Sequence, residues 1–449
     1  MKIKEKATEL SSVQLIVLFY LLAVVLSTVL LSLPIAHQAN VEWGFIDALF
    51  TAVSAISVTG LTVVSTADTF STVGTYILAF VLQFGGIGIM TLGTFVWLLM
   101  GKKIGMKERQ LISTDQNRGT LAGLVKLMRQ ILGLILLFEA IGTIILGIYL
   151  LKYYDSWQDS FLQGFFAAVS ATTNAGFDIT GSSLVPYAND YFVQTINMIL
   201  LILGAIGFPV LIELKDYLFQ KRETVAYRFT LFTKVTTVTF FALIIIGTVL
   251  IWILEAGNFM ADKSWDQALF YSLFQSVTTR NGGLATMDVS EFTLSTQMVL
   301  SLLMFIGASP SSVGGGIRTT TFAVAVLTVI HFARGKKSVK VFGRELLHDD
   351  IIKSFIVIFT ATGLCGLAVV ILSATEPFSL AAIVFEVTSA FGTTGLSLGI
   401  TPELSTAGKC VIIFLMFVGR IGIISFLLMM RGNAPVEHYH YPKEPIITG

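Results

Sequence analysis

The sequence predicts an all-α integral membrane protein of about eight transmembrane helices. They are arranged as four parallel helix–short helix–helix repeats with fourfold pseudosymmetry. Three observations carry that prediction. Hydrophobic residues make up 54% of the 449-residue chain and charged residues 13%. The mean hydropathy is +0.81, and apolar runs long enough to cross a bilayer recur throughout. One motif occurs four times, as Phe50-TAVSAISVTG-Leu61, Phe166-AAVSATTNAG-Phe177, Phe274-QSVTTRNGG-Leu284 and Phe385-EVTSAFGTTG-Leu396. Finally, Lys and Arg gather in alternate links between the apolar runs.

The motif glycines, Gly60, Gly176, Gly283 and Gly395, are separated by 116, 107 and 112 residues, a repeat of domain size. Boundaries then fall at 1–101, 102–220, 221–335 and 336–431, with an irregular, proline-bearing tail at 432–449. The opening MKIKEK precedes an apolar run too long for the core of a cleaved signal peptide, so it reads as a retained first span. That span runs from Val13 to Leu33 and closes at Pro34. Second, third and fourth spans are expected at Val73–Met100, Gln130–Leu151 and Phe192–Phe219, and a fifth ends near Leu254. The sixth, Met298–Phe332, is interrupted by Gly307-ASPSSVGGGIRTTT, a break that is tolerable only when buried in protein or lining water. The interruption is expected in this span alone of the four equivalent ones. A seventh span and an eighth, Lys409–Met430, complete the pattern.

Orientation follows from the basic residues. The N-terminus and the links after the second, fourth and sixth spans hold nearly all of them, while the links carrying the short helices hold few, chiefly Lys152, Lys263 and Arg280. By the positive-inside rule both termini are cytoplasmic and the short helices enter from outside.

Each short helix ends inside the bilayer, where its C-terminal end carries partial negative charge. Four such ends on one axis favour a cation, which is the helix–pore-helix–helix plan of a pore. The backbone returns outward through glycine. Carbonyls of Val58, Thr59, Asn174, Ala175, Asn281, Gly282, Thr393 and Thr394 are placed to replace an ion's hydration shell. Asp47, Asp159 and Asp266 sit near the positive starts of three short helices. The third motif is one residue short, so Gly282 and Gly283 both stand as its glycine, with Gly283 preferred. A second match, Gly85, Gly204, Gly307 and Gly419, falls below the loops at the level of the midplane. Beside it Arg420 lies in mid-span. Such a charge faces either a water-filled path or a buried acid, here Glu386 or Glu139.

Other functions find little support. A net charge of +1 gives no field for nucleic acid. The five histidines, His37, His331, His348, His438 and His440, form no spaced metal cluster, and no G-x-S-x-G elbow or nucleotide loop occurs. Cys365 and Cys410 sit within apolar runs and read as packing thiols. A membrane enzyme is therefore disfavoured, while an obligatorily coupled transporter remains open.

The four loops, the interrupted sixth span and the Gly419-Arg420-Ile421-Gly422 segment resemble the Ktr/Trk/HKT superfamily of cation transporters, over essentially the whole chain. The length and short N-terminus resemble its KtrB-type bacterial membrane subunits. The resemblance implies K+ uptake across the bacterial plasma membrane, with the four glycines in a K+ selectivity filter and K+ held by backbone carbonyls. It maps an intramembrane gate onto Ala308, Ser309, Pro310, Ser311, Ser312, Val313, Gly314, Gly315 and Gly316, within 307–319, and a gate arginine onto Arg420. It also implies a homodimer on a cytosolic ring of KtrA-type nucleotide-binding subunits. Nucleotide then enters only through that partner, and no covalent cofactor is expected. The loops lack the TVGYG text of tetrameric K+ channels, which points to a single dominant ion site.

Overall fold

The computed structural model describes residues 12–39, 41, 43–88, 124–219, 228–430, 444 and 446, and it is helical almost throughout. Repeat one comprises α1 (Ser12–Leu31), short helix α2 (Phe45–Ser57) and α3 (Thr72–Ile87). Repeat two comprises α4 (Leu124–Leu150), short helix α5 (Trp157–Thr172), α6 (Tyr191–Ala205) and α7 (Phe208–Phe219). Repeat three comprises α8 (Leu231–Glu255), short helix α9 (Trp265–Thr278), α10 (Leu294–Phe305) and α11 (Thr319–Ala333). A two-stranded hairpin, β1 (Lys340–Val341) with β2 (Arg344–Glu345), follows. Repeat four comprises α12 (His348–Thr375), short helix α13 (Leu380–Gly392), α14 (Thr406–Ile421) and α15 (Ile423–Met430). The opening MKIKEK, the span from 89 to Met100, the basic links at 101–123 and 220–227, and His438 and His440 in the tail lie outside the described residues.

The first helix of each repeat, α1, α4, α8 or α12, is long and apolar enough to cross a bilayer. Each turns large apolar side chains outward, as Leu22 and Val25 do on α1 and Ile245 and Ile253 on α8. In lipid that exposure carries no penalty.

The end of the first helix and the residues just after it also fix where the second begins. In repeat one the Ser71 hydroxyl donates to Ile35 O at 2.7 Å, and the Ser71 N–H donates to Ala36 O at 2.9 Å. In repeat two the N-cap of α6, Asp190, receives hydroxyls from Tyr149 and Tyr153 at 2.9 and 2.6 Å. Burial alone would raise the Asp190 carboxyl. The two hydroxyls, the Val193 N–H and the Lys152 charge outweigh it and hold the group below the ordinary carboxylate range. In repeat three Glu255 takes the N–H and hydroxyl of Thr293, both at 2.8 Å, and in repeat four Glu376 takes the N–H of Ser405 at 3.1 Å. Four different side-chain sets thus perform one task at one end of the bundle.

Closure around an axis comes from the short helices. Each packs within its own repeat and also on the second helix of the preceding repeat: α5 on α3, α9 on α6, α13 on α10, and α2 on α14. The phenylalanine that opens each motif, Phe50, Phe166, Phe274 or Phe385, is no more than 1% exposed.

The expectation that only the sixth span is interrupted is corrected. α3 stops at Gly88 (φ 91°), α6 and α7 meet at 104° beside Gly207 (φ 102°), and α14 and α15 meet at 101° at Gly422 (φ 86°). Each of these glycines follows Gly85, Gly204 or Gly419 by three residues, so a positive-φ glycine ends or breaks the second helix of repeats one, two and four at one level, whereas the equivalent position in repeat three is Pro310. The third break, residues 306–318, is longer than those of repeats two and four. Cys365 and Cys410 are both free.

Candidate functional site

At the C-terminal end of each short helix one residue adopts the left-handed conformation: Val58 (φ 50°), Asn174 (53°), Asn281 (69°) and Thr393 (52°). Two residues later comes the motif glycine, also at positive φ: Gly60 (89°), Gly176 (71°), Gly283 (69°) and Gly395 (97°). The four glycines close a ring. A Cβ on Gly60 would lie 2.6 Å from Ala175 O, one on Gly176 would lie 3.3 Å from Gly282 O, and one on Gly283 would lie 2.5 Å from Thr394 O. One on Gly395 would run into Thr59 O. The carbonyl before each glycine therefore lies against the glycine of the preceding repeat, in cyclic order. No side chain fits at any of the four.

The ring also decides the register of the third loop. Gly283 joins it, whereas a Cβ on Gly282 would strike Thr278 of its own repeat. In three loops the N–H before the motif glycine reaches the carbonyl five residues back: Thr59 to Ser54, Ala175 to Ser170 and Thr394 to Ser389. In the third, Gly282 N–H reaches only four back, to Thr278. The missing residue has been taken out of that turn.

Hydroxyls at those same positions set the loops from behind. Ser54 and Ser389 accept the N–H of Gly60 and Gly395, each at 3.1 Å. Ser170 and Thr278 instead donate to the carbonyls of Phe177 and Leu284, at 2.5 and 2.6 Å. Sequence reasoning did not single these out, although a Ser or Thr near the same register of every motif was there to be read. The loops are also tied sideways: Asn174 Nδ2 donates to Arg280 O at 3.3 Å, and Asn281 Nδ2 to Thr393 O at 3.0 Å.

Among the described residues no hydrogen bond reaches the carbonyls of Thr59, Ala175, Gly282 and Thr394. These four residues form the buried ring. Buried backbone carbonyls are ordinarily paired, and unpaired ones in a low-dielectric interior are ready acceptors for a cation. Asp47, Asp159 and Asp266 stand in the first turns of α2, α5 and α9, as expected, and α13 has no acid there.

Beneath the ring lies the third break. Ser309 N–H and Val313 N–H donate to Ala205 O and Gly204 O of repeat two, at 3.1 and 3.2 Å. Gly316 N–H donates to Gly419 O of repeat four at 3.2 Å, and Gly315 N–H to the Thr393 hydroxyl at 2.8 Å. A Cβ on Gly314 would lie 2.5 Å from Asn281 Cγ, so the segment touches the underside of the loops. Ala308, Ser309 and Val313 through Gly316 are buried, and Pro310, Ser311 and Ser312 are half-buried. Arg420 donates to Val313 O of this segment and to Gly85 O of repeat one, which joins three repeats at one guanidinium. Glu139 instead receives Gln83 Nε2 at 2.6 Å, and Glu386 receives the Ser397 hydroxyl at 2.7 Å, so neither expected ion pair with Arg420 forms.

One further expectation, that of the midplane glycines, is corrected, and Arg280 of the third motif acquires partners. It is 1% exposed and donates to Ile306 O at 2.5 Å and to Leu303 O, the orphan carbonyls at the end of α10. The midplane glycines are also not equivalent. Gly85, Gly204 and Gly419 make room for pore-helix carbonyls of Ala55, Thr172 and Phe391, while Gly307 abuts Gly315 O.

A profile described as TrkH, cation transport protein, matches residues 7–440. The chain belongs to this family of cation transport proteins. Among curated relatives, the Ktr system potassium uptake protein D of Bacillus subtilis is 60% identical, covering 98% of each chain. The Ktr system potassium uptake protein B of the same organism is 37% identical over 97% of this chain and 96% of its own. The crystal structure of the potassium transporter TrkH from Vibrio parahaemolyticus superposes with a TM-score of 0.69 at 19% identity, covering 92% of this chain and 84% of that one. The fold is thus that of a multi-pass membrane transporter.

The ring geometry predicts a difference between two left-handed glycines of the same loop. A Cβ on Gly399 (φ 88°) would meet nothing within 4 Å, whereas one on Gly395 (φ 97°) would face Thr59 O and two ring glycines. Gly399→Ala should therefore cost only the backbone term, about 1 kcal/mol. Gly395→Ala should lower the thermal midpoint further and abolish ion flux. Equal effects of the two changes would show that strain alone, and not the ring, requires Gly395.

Proposed function

We propose that this chain is the membrane subunit of a bacterial potassium-uptake system. It sits in the plasma membrane with both termini cytoplasmic, and potassium passes through the glycine ring. The observation that carries this reading is the set of buried, unbonded carbonyls at Thr59, Ala175, Gly282 and Thr394, arranged cyclically on four short-helix ends. Together with the carbonyls of Val58, Asn174, Asn281 and Thr393, they offer oxygen in place of water. The names of the two B. subtilis relatives support potassium as the ion. All four ring positions are glycine, so every quadrant presents backbone and none presents a side chain.

The segment from Ala308 to Gly316, with Arg420, acts as the gate. Support comes from its position under the loops and from its bonds, which run to the breaks of the other repeats. A unit charge in a poorly solvated path raises a cation's barrier by on the order of kcal/mol, and each ~1.4 kcal/mol is tenfold in rate. Control of the gate is assigned to a KtrA-type cytosolic ring on which a homodimer of this chain sits. The word "system" in the relatives' names agrees with a multi-component assembly, and the chain carries no nucleotide loop of its own.

Potassium, rubidium and sodium uptake by the chain in a bacterium deficient in potassium uptake tests the ion assignment. Wild type should prefer potassium. Gly60→Ser should reduce its discrimination against sodium more than its expression, and an unchanged preference in a folded variant removes Gly60 from the filter. Shortening the segment within Ser311–Gly316, or Arg420→Ala, should raise potassium flux per folded protein and weaken its dependence on the regulator. Unchanged or reduced flux with regulation intact in both would defeat the gate assignment. Purification from the native host should recover a nucleotide-binding protein, and repeated recovery of this chain alone with fully regulated uptake would remove that partner.

A further inference from the structure

At the Gly207 break α7 leaves α6 at 104° and leans across the beginning of α4. An open groove of about 560 Å³ lies between α7 and α4. α4 lines it with Leu134 and Leu137, and α7 with Leu211, Leu214 and Leu218, each set on one helical face. Gly133 widens it, since a Cβ there would meet nothing within 4 Å. Exposed leucines alone would call for nothing beyond the general run of acyl chains in a bilayer. Two further observations set this groove apart.

Its walls carry two bases and no acid. Arg129 faces it from α4 and Lys215 from α7, and neither forms an ion pair among the described residues. The acids of α7 turn elsewhere: Glu213 takes the N–H and hydroxyl of Thr230 at 3.1 and 2.7 Å, and Asp216 does not line the groove. The depth also fits a lipid. Arg129 precedes Leu150, the last residue of α4, by 21 residues, which is about 32 Å at helical rise. The hydrocarbon core is about 30 Å thick. Arg129 therefore reaches the headgroup level, while Leu134 and Leu137 stay at the level of the acyl chains.

We propose that this groove binds one anionic phospholipid, from the leaflet opposite the starts of the short helices. Its phosphate sits between Arg129 and Lys215, and an acyl chain lies along Gly133 and the leucines. The guanidinium fork pairs two phosphate oxygens and the ammonium adds a point charge. Basic pockets between spanning helices favour anionic headgroups for this reason. A second copy of the chain packed there about a twofold axis would bring the same bases face to face, which disfavours it as the occupant. Occupancy reaches beyond the groove, because α7 begins at Phe208, whose N–H donates to Ser311 O of the third break at 2.9 Å. A lipid that braces α7 against α4 steadies the helix to which that break is tied. The site goes beyond the transport reading, and binding can be measured without flux.

The purified full chain in nonionic detergent is titrated with palmitoyl-oleoyl phosphatidylglycerol, or with the phosphatidylcholine of the same chains. Bound lipids are counted by native mass spectrometry. Wild type should bind one phosphatidylglycerol per chain on the order of tenfold more tightly than phosphatidylcholine. Arg129→Gln combined with Lys215→Gln should abolish that preference and leave phosphatidylcholine binding unchanged. Gly133→Leu should weaken both lipids by filling the groove. It adds its side chain where nothing stands, so it should fold, and it serves if the double variant does not. Excess inorganic phosphate should leave the lipid bound, since the groove holds the acyl chain as well. Equal binding of the two lipids by wild type, a preference that survives all the substitutions, or displacement by inorganic phosphate would each overturn the assignment. So would conversion of a dimer to monomers by Gly133→Leu, which would give the groove to a second copy.

Discussion

A backbone carbonyl inside a bilayer needs a partner, and the carbonyls of Thr59, Ala175, Gly282 and Thr394 have none among the described residues. Everything around the ring can be read as the means of holding those carbonyls uncommitted. Short helices carry them to the centre, and left-handed residues at Val58, Asn174, Asn281 and Thr393 turn the chain out of helical bonding. Hydroxyls at Ser54, Ser170, Thr278 and Ser389 then satisfy neighbouring N–H or C=O groups and leave the ring oxygens open. An electrostatic site made this way needs no ionised side chain. It is also insensitive to pH, because amide carbonyls do not titrate in the physiological range.

Rigidity at the ring depends on contacts made far from it. Each short helix is clamped between its own repeat and the one before, so a displacement in one quadrant is felt in the next. At the entry end the N-caps of the second helices are bound to the ends of the first helices, or to the residues just after them, by Ile35 and Ala36 carbonyls, two tyrosines, Glu255 or Glu376. At the opposite end of the loops the third break bonds to repeats two and four, and Arg420 adds repeat one. The ring is thus held from above by four local locks and from below by one shared segment. Motion of that segment is the motion that reaches all quadrants together.

The features legible in the sequence are those enforced by sterics. Four glycines at matched spacing announce a close approach of backbones, and the apolar runs between them announce spans. The breaks at Gly88, Gly207 and Gly422 are not legible, because a lone glycine inside an apolar run still reads as helix, and only the long third interruption stands out. The arginine partners escape a sequence reading for a related reason. A buried guanidinium suggests an acid, yet Arg280 and Arg420 bond to carbonyls that helix ends and breaks have released, and carbonyl availability leaves no mark in a sequence. The third register is decided by the Thr278 turn, a detail of hydrogen bonding one residue in size.

That turn has a consequence for the symmetry itself. A loop whose bond spans four residues, facing three whose bonds span five, fits only the quadrant that was built around it. The four segments look like copies of one part, but they are no longer spares for one another. Transplanting the sequence of any other loop into the third position would add a residue with nowhere to go, and Gly283 would leave the circle. Each quarter fits only the neighbours against which it is packed, as a cast fits its mould.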